Sequence, residues 1–284
     1  MTIRNLREAD LAYAANLTVI EGWHYTVKEL GFLLRMDPDG SFIYEQGGEP
    51  VGFATTITYG RTGVLGHLVV GAKGRGKGIG KALLKASIDY MDSQGTDSAV
   101  IFSIPDVVPL YERFGFKATD EIYCAHLDLK EAPKKPKRDD ISLMEEDDLP
   151  EILGIDKGIF GDERAKLVRA IHDEGPGRCF KLVKDERIVG YLFSRPDDTG
   201  FNLGPWVNLT DDPKDAEDLF VTALSTFHKG TVYMGTSFKN EQAITIAQKL
   251  PIERSWRIPF MTKGRPRYTG DVMKAFGVVG FELG

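Results

Sequence analysis

The sequence predicts a mixed α/β protein built as two tandem copies of one fold, and three observations carry that reading. The two halves match at a constant offset, a Gly-rich loop joins a strand to a helix in the first half, and a charged, Pro-containing stretch separates the halves.

The offset comes first. Leu6-Arg7-Glu8-Ala9-Asp10-Leu11 faces Met144-Glu145-Glu146-Asp147-Asp148-Leu149, and Val51-Gly52-Phe53 faces Val189-Gly190-Tyr191. Gly66 and Val69 face Gly204 and Val207, and in every case the shift is 138 residues. One such match is easy by chance, whereas three in register make duplication the better account. The stretch from Lys130 to Asp140 holds two prolines and no apolar periodicity, so it reads as a linker. The expected domains are therefore 1–129 and 141–284, with the linker at 130–140.

Each half opens on an acidic helix start followed by helical material, Asp10 to Met36 and Asp148 to Glu174. In the first half, Ser41 to Glu45 and Val51 to Tyr59 read as a strand pair joined across Gln46-Gly47-Gly48-Glu49-Pro50. Val64 to Val70 is the next strand, the helix after the Gly-rich loop starts near Gly78, and Ala99 to Ser103 is a short buried strand. Pro109 to Phe114 reads as a short helix stopped by Gly115. Ile122 to Leu129 alternates and is expected to close the first sheet.

Composition bounds the function. A chain of 284 residues with net charge −6 is not expected to be a general nucleic-acid binder, which is usually basic. No run approaches the roughly 18 apolar residues of a membrane span, and the opening residues carry no apolar core of a signal peptide. Cys124 and Cys179 lie far apart without metal-ligand spacing, so a reduced, cytoplasmic setting without a metal is expected. A Gly-x-Ser-x-Gly elbow and a Gly-Lys-Ser/Thr phosphate loop are both missing from the sequence.

The chemistry concentrates in Val69-Val70-Gly71-Ala72-Lys73-Gly74-Arg75-Gly76-Lys77-Gly78-Ile79-Gly80 and the helix that begins at Lys81. Successive glycines let backbone N–H groups point into one concavity, and a helix N-terminus adds partial positive charge. Arg75, Lys77 and Lys81 add full charges, which makes the loop a pyrophosphate cradle.

With Pro109-Leu110-Tyr111-Glu112-Arg113-Phe114-Gly115-Phe116 about 30 residues beyond it, this loop makes the first half resemble a GNAT (Gcn5-related) N-acetyltransferase. The loop is similar to the family's Arg/Gln-x-x-Gly-x-Gly/Ala acetyl-CoA motif, and the later segment to its Leu-Tyr-x-x-x-Gly-Phe motif. The second half resembles, more distantly, a diverged domain of the same kind, through Gly204-Pro205-Trp206-Val207 and Phe276 to Gly284. The resemblance implies two mostly antiparallel mixed sheets flanked by helices, with a splayed strand pair that admits the pantetheine arm in the first. It implies acetyl-CoA as cosubstrate, held by Leu68, Val69, Val70, Arg75, Gly76, Lys77, Gly78, Ile79, Gly80 and Lys81, with a main-chain N–H near Val69 or Val70 polarising the thioester. Tyr111 is the implied general acid for the departing thiolate. Seven residues before it the family often has Asn where this chain has Ile104.

Glu21, in the loop where the family places an acceptor, is the first candidate for the base, and His67 on the catalytic strand is the second. Trp23 and His24 are candidates for contact with the acceptor. At the constant offset, Arg75, Gly76, Gly78 and Gly80 map to Pro213, Lys214, Ala216 and Asp218, inside an acidic run from Asp211 to Asp218. A carboxylate ~4 Å from a phosphate, at an effective dielectric of ~20, costs about 4 kcal/mol. The second copy is therefore expected to bind no acetyl-CoA, and it could instead cover the acceptor site, form a homodimer surface or bind another ligand. The expected function is acetyl transfer to a primary amine of a small metabolite. Transfer to a protein N-terminus or lysine, a non-catalytic acetyl-CoA sensor and a plain nucleotide-binding module are the alternatives.

Overall fold

The structure, a computed structural model, describes residues 2–175, 177–196, 200–265 and 272–284. The chain forms two compact units. Unit 1 comprises Met1–Lys117 with Met261–Pro266 and Glu282–Gly284, and unit 2 comprises Ala118–Phe260 and Arg267–Phe281. Each unit thus borrows from outside the contiguous halves 1–129 and 141–284 that the sequence suggests, and the 130–140 stretch falls inside unit 2.

Unit 1 runs β1 (Thr2–Asn5), α1 (Leu11–Ile20), α2 (Val27–Met36), β2 (Ser41–Gln46), β3 (Glu49–Tyr59), β4 (Thr62–Val70), α3 (Ile79–Ser93), β5 (Ser98–Phe102) and α4 (Val108–Glu112). Strands β1 to β4 are antiparallel neighbours in chain order, and β5 joins β4 in parallel. The β2–β3 hairpin turns on Gly47 and Gly48, whose φ values of 66° and 86° suit a two-residue turn that only glycine adopts freely. Helix α3 buries Ile79, Leu83, Leu84, Ile88 and Met91, a helical-period stripe. Leu84, Ile88 and Met91 join Leu65, Ala99, Ile101, Tyr111 and Phe116 in one core cluster.

Unit 2 contains β6 (Lys117–Leu129), β7 (Ile141–Leu143), α5 (Leu149–Phe160), α6 (Ala165–Glu174), β8 (Phe180–Lys184), β9 (Arg187–Pro196), β10 (Gly200–Asn208), α7 (Pro213–Leu224), β11 (Gly230–Ser237), α8 (Glu241–Ala247), the larger part of β12 (Ile252–Gly264) and β13 (Ala275–Gly277). The duplication is visible in the elements. Strand β4, Thr62–Val70, has its counterpart 138 residues on in β10, Gly200–Asn208, and both pair in parallel with a later strand.

One expectation fails. The alternating strand Ile122–Leu129 does not close the first sheet. It lies in β6, pairs antiparallel with β11 and sends Tyr123, Ala125, Leu127 and Leu129 into the core of unit 2. In unit 1 the strand beside β5 is the end of β12, where Met261 enters the core cluster and the Arg265 N–H donates to the Asp97 C=O at 2.9 Å. Alternation fixes which face of a strand is buried but not which sheet the strand joins.

Candidate active site

The site in unit 1 begins where β4 leaves β5. The parallel register runs from Thr62↔Ser98 to Leu65↔Ile101 and then stops, so Leu68, Val69 and Val70 have no strand partner on that side among the described residues. On the other side they stay paired with Ala54, Phe53 and Gly52 of β3, beyond a bulge at Gly66 and His67. The Gly71 N–H bonds the Val51 C=O at 2.9 Å. Alternation along an antiparallel ladder therefore turns Val69 toward β3 and the backbone of Leu68 and Val70 toward the open edge. Arg75 Nε donates to the Val70 C=O at 3.1 Å, as that alternation requires. Of the two residues expected to polarise a thioester carbonyl, Val70 has the outward N–H.

The Gly-rich loop follows directly. Gly76 and Gly78 have φ of 75° and 76°, and Gly78 is the left-handed N-cap of α3. A Cβ at either position would meet nothing within 4 Å, so both face open space. Glycine is needed here for its backbone conformation rather than for clearance. Gly74 and Ile79 are buried, which anchors the loop, whereas Arg75, Lys77 and Lys81 are exposed. Lys77 and Lys81 have no ion-pair partner among the described residues. These features fit a pyrophosphate with its counter-charges at a helix N-terminus.

Glu21 caps the C-terminus of α1 and pairs with Arg75. The first candidate for the base is thus the counter-ion of the loop. A phosphate must take Arg75 from it. A partly exposed pair of this kind is worth about 0.2–1 kcal/mol. Glu21→Gln is therefore expected to tighten acetyl-CoA binding by up to about fivefold, read as a lower Kd in calorimetry. A weaker Kd would mean that Glu21 helps to hold the loop.

Tyr111 lies in α4, 5% exposed, in the same core cluster as Leu65 and Ile101, the last paired residues of β4 and β5. Leu68 packs against that cluster. The Tyr111 ring meets Phe116 edge-on at 6.1 Å, and its hydroxyl makes no hydrogen bond among the described residues. Burial pushes its pKa up, so the phenol keeps its proton and can act only as an acid.

His67 is buried, and burial pushes its pKa down to about 4, partly offset by the charge of Glu282. It is neutral at pH 7. Its backbone N–H donates to Thr55 Oγ1 at 2.9 Å, and the same oxygen lies 2.9 Å from Nδ1. The Thr55 proton has no other acceptor among the described residues, so it donates to Nδ1 and the ring proton sits on Nε2. Nε2 itself is buried without a partner among the described residues. Around this ring stand Trp23 at 6.1 Å, Tyr25 at 4.3 Å and Phe53 at 5.7 Å between centroids. Trp23 thus meets His67. His24 takes a left-handed φ of 58°, and among the described residues it bonds through its backbone N–H, to the Thr18 C=O. Two residues that the sequence reading missed complete the group: the Tyr25 hydroxyl donates to Glu282 Oε2 at 2.8 Å.

Unit 2 treats the same positions differently. Strand β10 pairs with β11 only over Gly200–Asn202, and beyond that point β13 is inserted, pairing antiparallel with Trp206 and Val207. The Val278 N–H donates to the Gly235 C=O at 2.9 Å. A side chain at Gly204 would strike the Val278 carbonyl oxygen at 1.8 Å. The edge left open in unit 1 is therefore occupied in unit 2 by the unit's own backbone.

The loop there is also rebuilt, and the constant offset assumed for it fails. Strand β10 ends at Asn208 and the helix N-cap is Asp212, whereas β4 ends at Val70 and its helix N-cap is Gly78. Gly78 therefore corresponds to Asp212 rather than to Ala216. The Asp212 side chain accepts from the Lys214 N–H at 2.8 Å, an ordinary cap. Asp215 is buried against Arg138, Lys184 and Thr210, and Asp218 meets Arg138 at 2.9 Å and Lys214 at 2.8 Å. Burial alone pushes the Asp215 carboxyl up, but the bonds from Lys184, Arg138 and Thr210 together hold it below the usual carboxylate range. Among the described residues no cluster of His, Cys, Asp and Glu could hold a metal ion, and no helix is long and apolar enough to cross a membrane.

An open parallel-strand fork, a Gly-rich loop at a helix N-terminus and a buried tyrosine beside the fork stand together in unit 1. Family models described as Acetyltransferase (GNAT) domain match residues 20–126 and 152–277. The chain belongs to the GNAT acetyltransferase family, with two such domains in tandem.

Among curated proteins, a mycothiol acetyltransferase of Streptomyces avermitilis is 34% identical over 94 residues, 31% of this chain and 30% of that protein. An N-acetyltransferase of Methanocaldococcus jannaschii is 26% identical over 141 residues, 43% of this chain and 62% of that protein. The chain thus spans under a third of the first relative's length and under two thirds of the second's. Among solved structures, one from Pyrococcus horikoshii assigned to the acetyltransferases has a TM-score of 0.80 at 18% identity, covering 100% of this chain and 95% of that one. A GCN5-related N-acetyltransferase from Sphaerobacter thermophilus has a TM-score of 0.69 at 14% identity, covering 93% and 96%. At these identities the likeness is one of fold.

Proposed function

We propose that unit 1 transfers the acetyl group of acetyl-CoA to a primary amine of a small metabolite by direct attack, and that unit 2 binds no acetyl-CoA. The observation that carries the reading is the open backbone edge of Leu68 and Val70, set between the glycine cradle and the Tyr111 cluster. Gly76, Lys77, Gly78, Ile79, Gly80 and Lys81 hold the pyrophosphate, with Arg75 released from Glu21. The outward edge of Leu68 to Val70 pairs with the pantetheine amides, and the Val70 N–H faces the thioester oxygen. There it stabilises the charge that grows as the amine attacks. Tyr111 gives its proton to the departing thiolate. Trp23, His24 and the Nε2–H of His67 line the side from which the acceptor enters.

Titration of acetyl-CoA into the full chain by calorimetry is expected to give one site per chain. Gly78→Asp places a carboxylate in the cradle on a left-handed backbone and is expected to abolish that site. Release of free thiol on addition of a primary amine then reports transfer. Two sites would remove the assignment of unit 2, and no binding would remove the whole reading.

A further inference from the structure

Helix α2 carries two apolar stripes. Leu30, Phe32 and Leu33 are buried, as the core side of an amphipathic helix should be. Val27, Gly31 and Leu34 form the second stripe and line a cavity of about 560 Å³, with Leu6 and Leu11 on its other wall. That volume is in the range of a small-molecule site. None of the residues assigned to the fork, the Gly-rich loop or the acceptor loop lines it. Leu11 opens α1 and Glu21 caps its far end, so ten residues of helix, about 15 Å, separate that wall from the Glu21–Arg75 pair. Gly31 is what opens the cavity. It stands mid-helix, where alanine is the stronger helix former. Its φ is not left-handed, and a Cβ there would meet Leu11 Cδ1 and Arg35 Nη1 at 3.6 Å, ordinary contact. Neither conformation nor clearance demands glycine at this position, and a longer side chain would occupy the cavity.

Charge marks the rim. Glu8, in the turn before α1, and Lys28, in the first turn of α2, both line the cavity and both are exposed. Among the described residues neither has an ion-pair partner, and they do not pair with each other. A cation in the first turn is disfavoured by the helix dipole, so Lys28 is not there to stabilise α2. Arg35 joins the rim, its Nη1 close to Gly31. Opposite charges held apart over an apolar floor match a molecule that carries both charges and an apolar body. We propose that this cavity is a second small-molecule site of unit 1, which takes an apolar α-amino acid as its zwitterion. The carboxylate faces Lys28 and Arg35, the ammonium faces Glu8, and the side chain lies over Gly31 between Leu11 and Leu34. The site is independent of the chemistry at the fork and stands whether or not unit 1 transfers an acetyl group.

The test is a titration of the full chain with L-leucine, without acetyl-CoA, followed by NMR of the leucine methyls and the Trp23 indole. The Leu11 and Leu34 methyls are expected to shift and saturate with a Kd below about 10 mM, the weak end for a ligand of this size. Isocaproate lacks the ammonium and isoamylamine lacks the carboxylate, and each is expected to bind about fivefold more weakly. Gly31→Leu fills the cavity while favouring the helix. It should abolish the leucine-induced shifts, keep its stability to urea and leave the acetyl-CoA Kd unchanged. Lys28→Glu keeps the cavity open and should weaken leucine about fivefold. The proposal is overturned by the absence of a saturable shift, by equal binding of leucine and its two analogues, or by undiminished binding to Gly31→Leu. Shifts confined to the Trp23 indole overturn it as well, because they seat leucine in the acceptor loop instead.

Discussion

Tyr111→Phe is expected to lower kcat by about 100-fold while leaving the acetyl-CoA Kd unchanged. Removal of a positioned general acid typically costs 10²–10⁴ in rate, and a thiolate is a good enough leaving group to place this case near the lower end. The substitution is clean because the hydroxyl has no protein partner among the described residues and the edge-on contact with Phe116 at 6.1 Å survives. Thermal stability should therefore change by less than about 1 kcal/mol. Burial holds the phenol well above its ordinary pKa, so this acid stays protonated across the physiological range and sets no limb of the rate profile there. Thiol-release kinetics beside calorimetry make the measurement. A kcat within threefold of wild type would return Tyr111 to the role of a packing residue.

Arg138→Met is expected to destabilise unit 2 by about 3 kcal/mol at pH 7, the lower end for breaking a buried charge pair. Arg138 bridges Asp140 at 2.7 Å, Asp215 at 2.8 Å and Asp218 at 2.9 Å. Its loss leaves Asp215 with Lys184 and Thr210, and Asp218 with Lys214. The pH dependence has a definite sign. The Arg138 hydrogen bonds hold the Asp140 carboxyl below its usual 3.8, and Asp215 is also depressed. A depressed carboxylate contributes stability above its unfolded pKa and loses it as pH falls through the folded value. The gap between wild type and variant should be full at pH 7 and close below about pH 4. Urea unfolding at pH 7, 5 and 3.5 measures it. A gap that widens on acidification would contradict the assignment.

Much of this was legible in the sequence for identifiable reasons. The strand–loop–helix from Val69 to Met91 combines three local signals, β-branched residues, spaced glycines and a helical apolar stripe, and local signals survive folding. The pair Gly47-Gly48 specified its own turn. What was hidden is long-range. Nothing near Ile122–Leu129 says which sheet it joins, and a strand's own pattern cannot supply that. Glu282 could not be placed beside Tyr25 from the sequence, because only folding brings the two together. The one trace was Gly66, whose lack of a side chain leaves the room that Glu282 fills. Glu21 stands at the end of α1, where its loop begins, but only the coordinates pair it with Arg75. Arg138, at the end of an apparent linker, has the composition of a solvated segment and the partners of a buried one.

The insertion of β13 beside β10 makes the second fork a site with a permanent intramolecular competitor. A segment tethered next to the groove it fills acts at an effective concentration on the order of millimolar or above. A diffusing thioester at micromolar levels would need a correspondingly tighter affinity to displace it. Grafting the glycines of the first loop onto Asp211–Asp218 would therefore restore a cradle without restoring occupancy. Reactivating the second copy requires that the resident strand first be evicted.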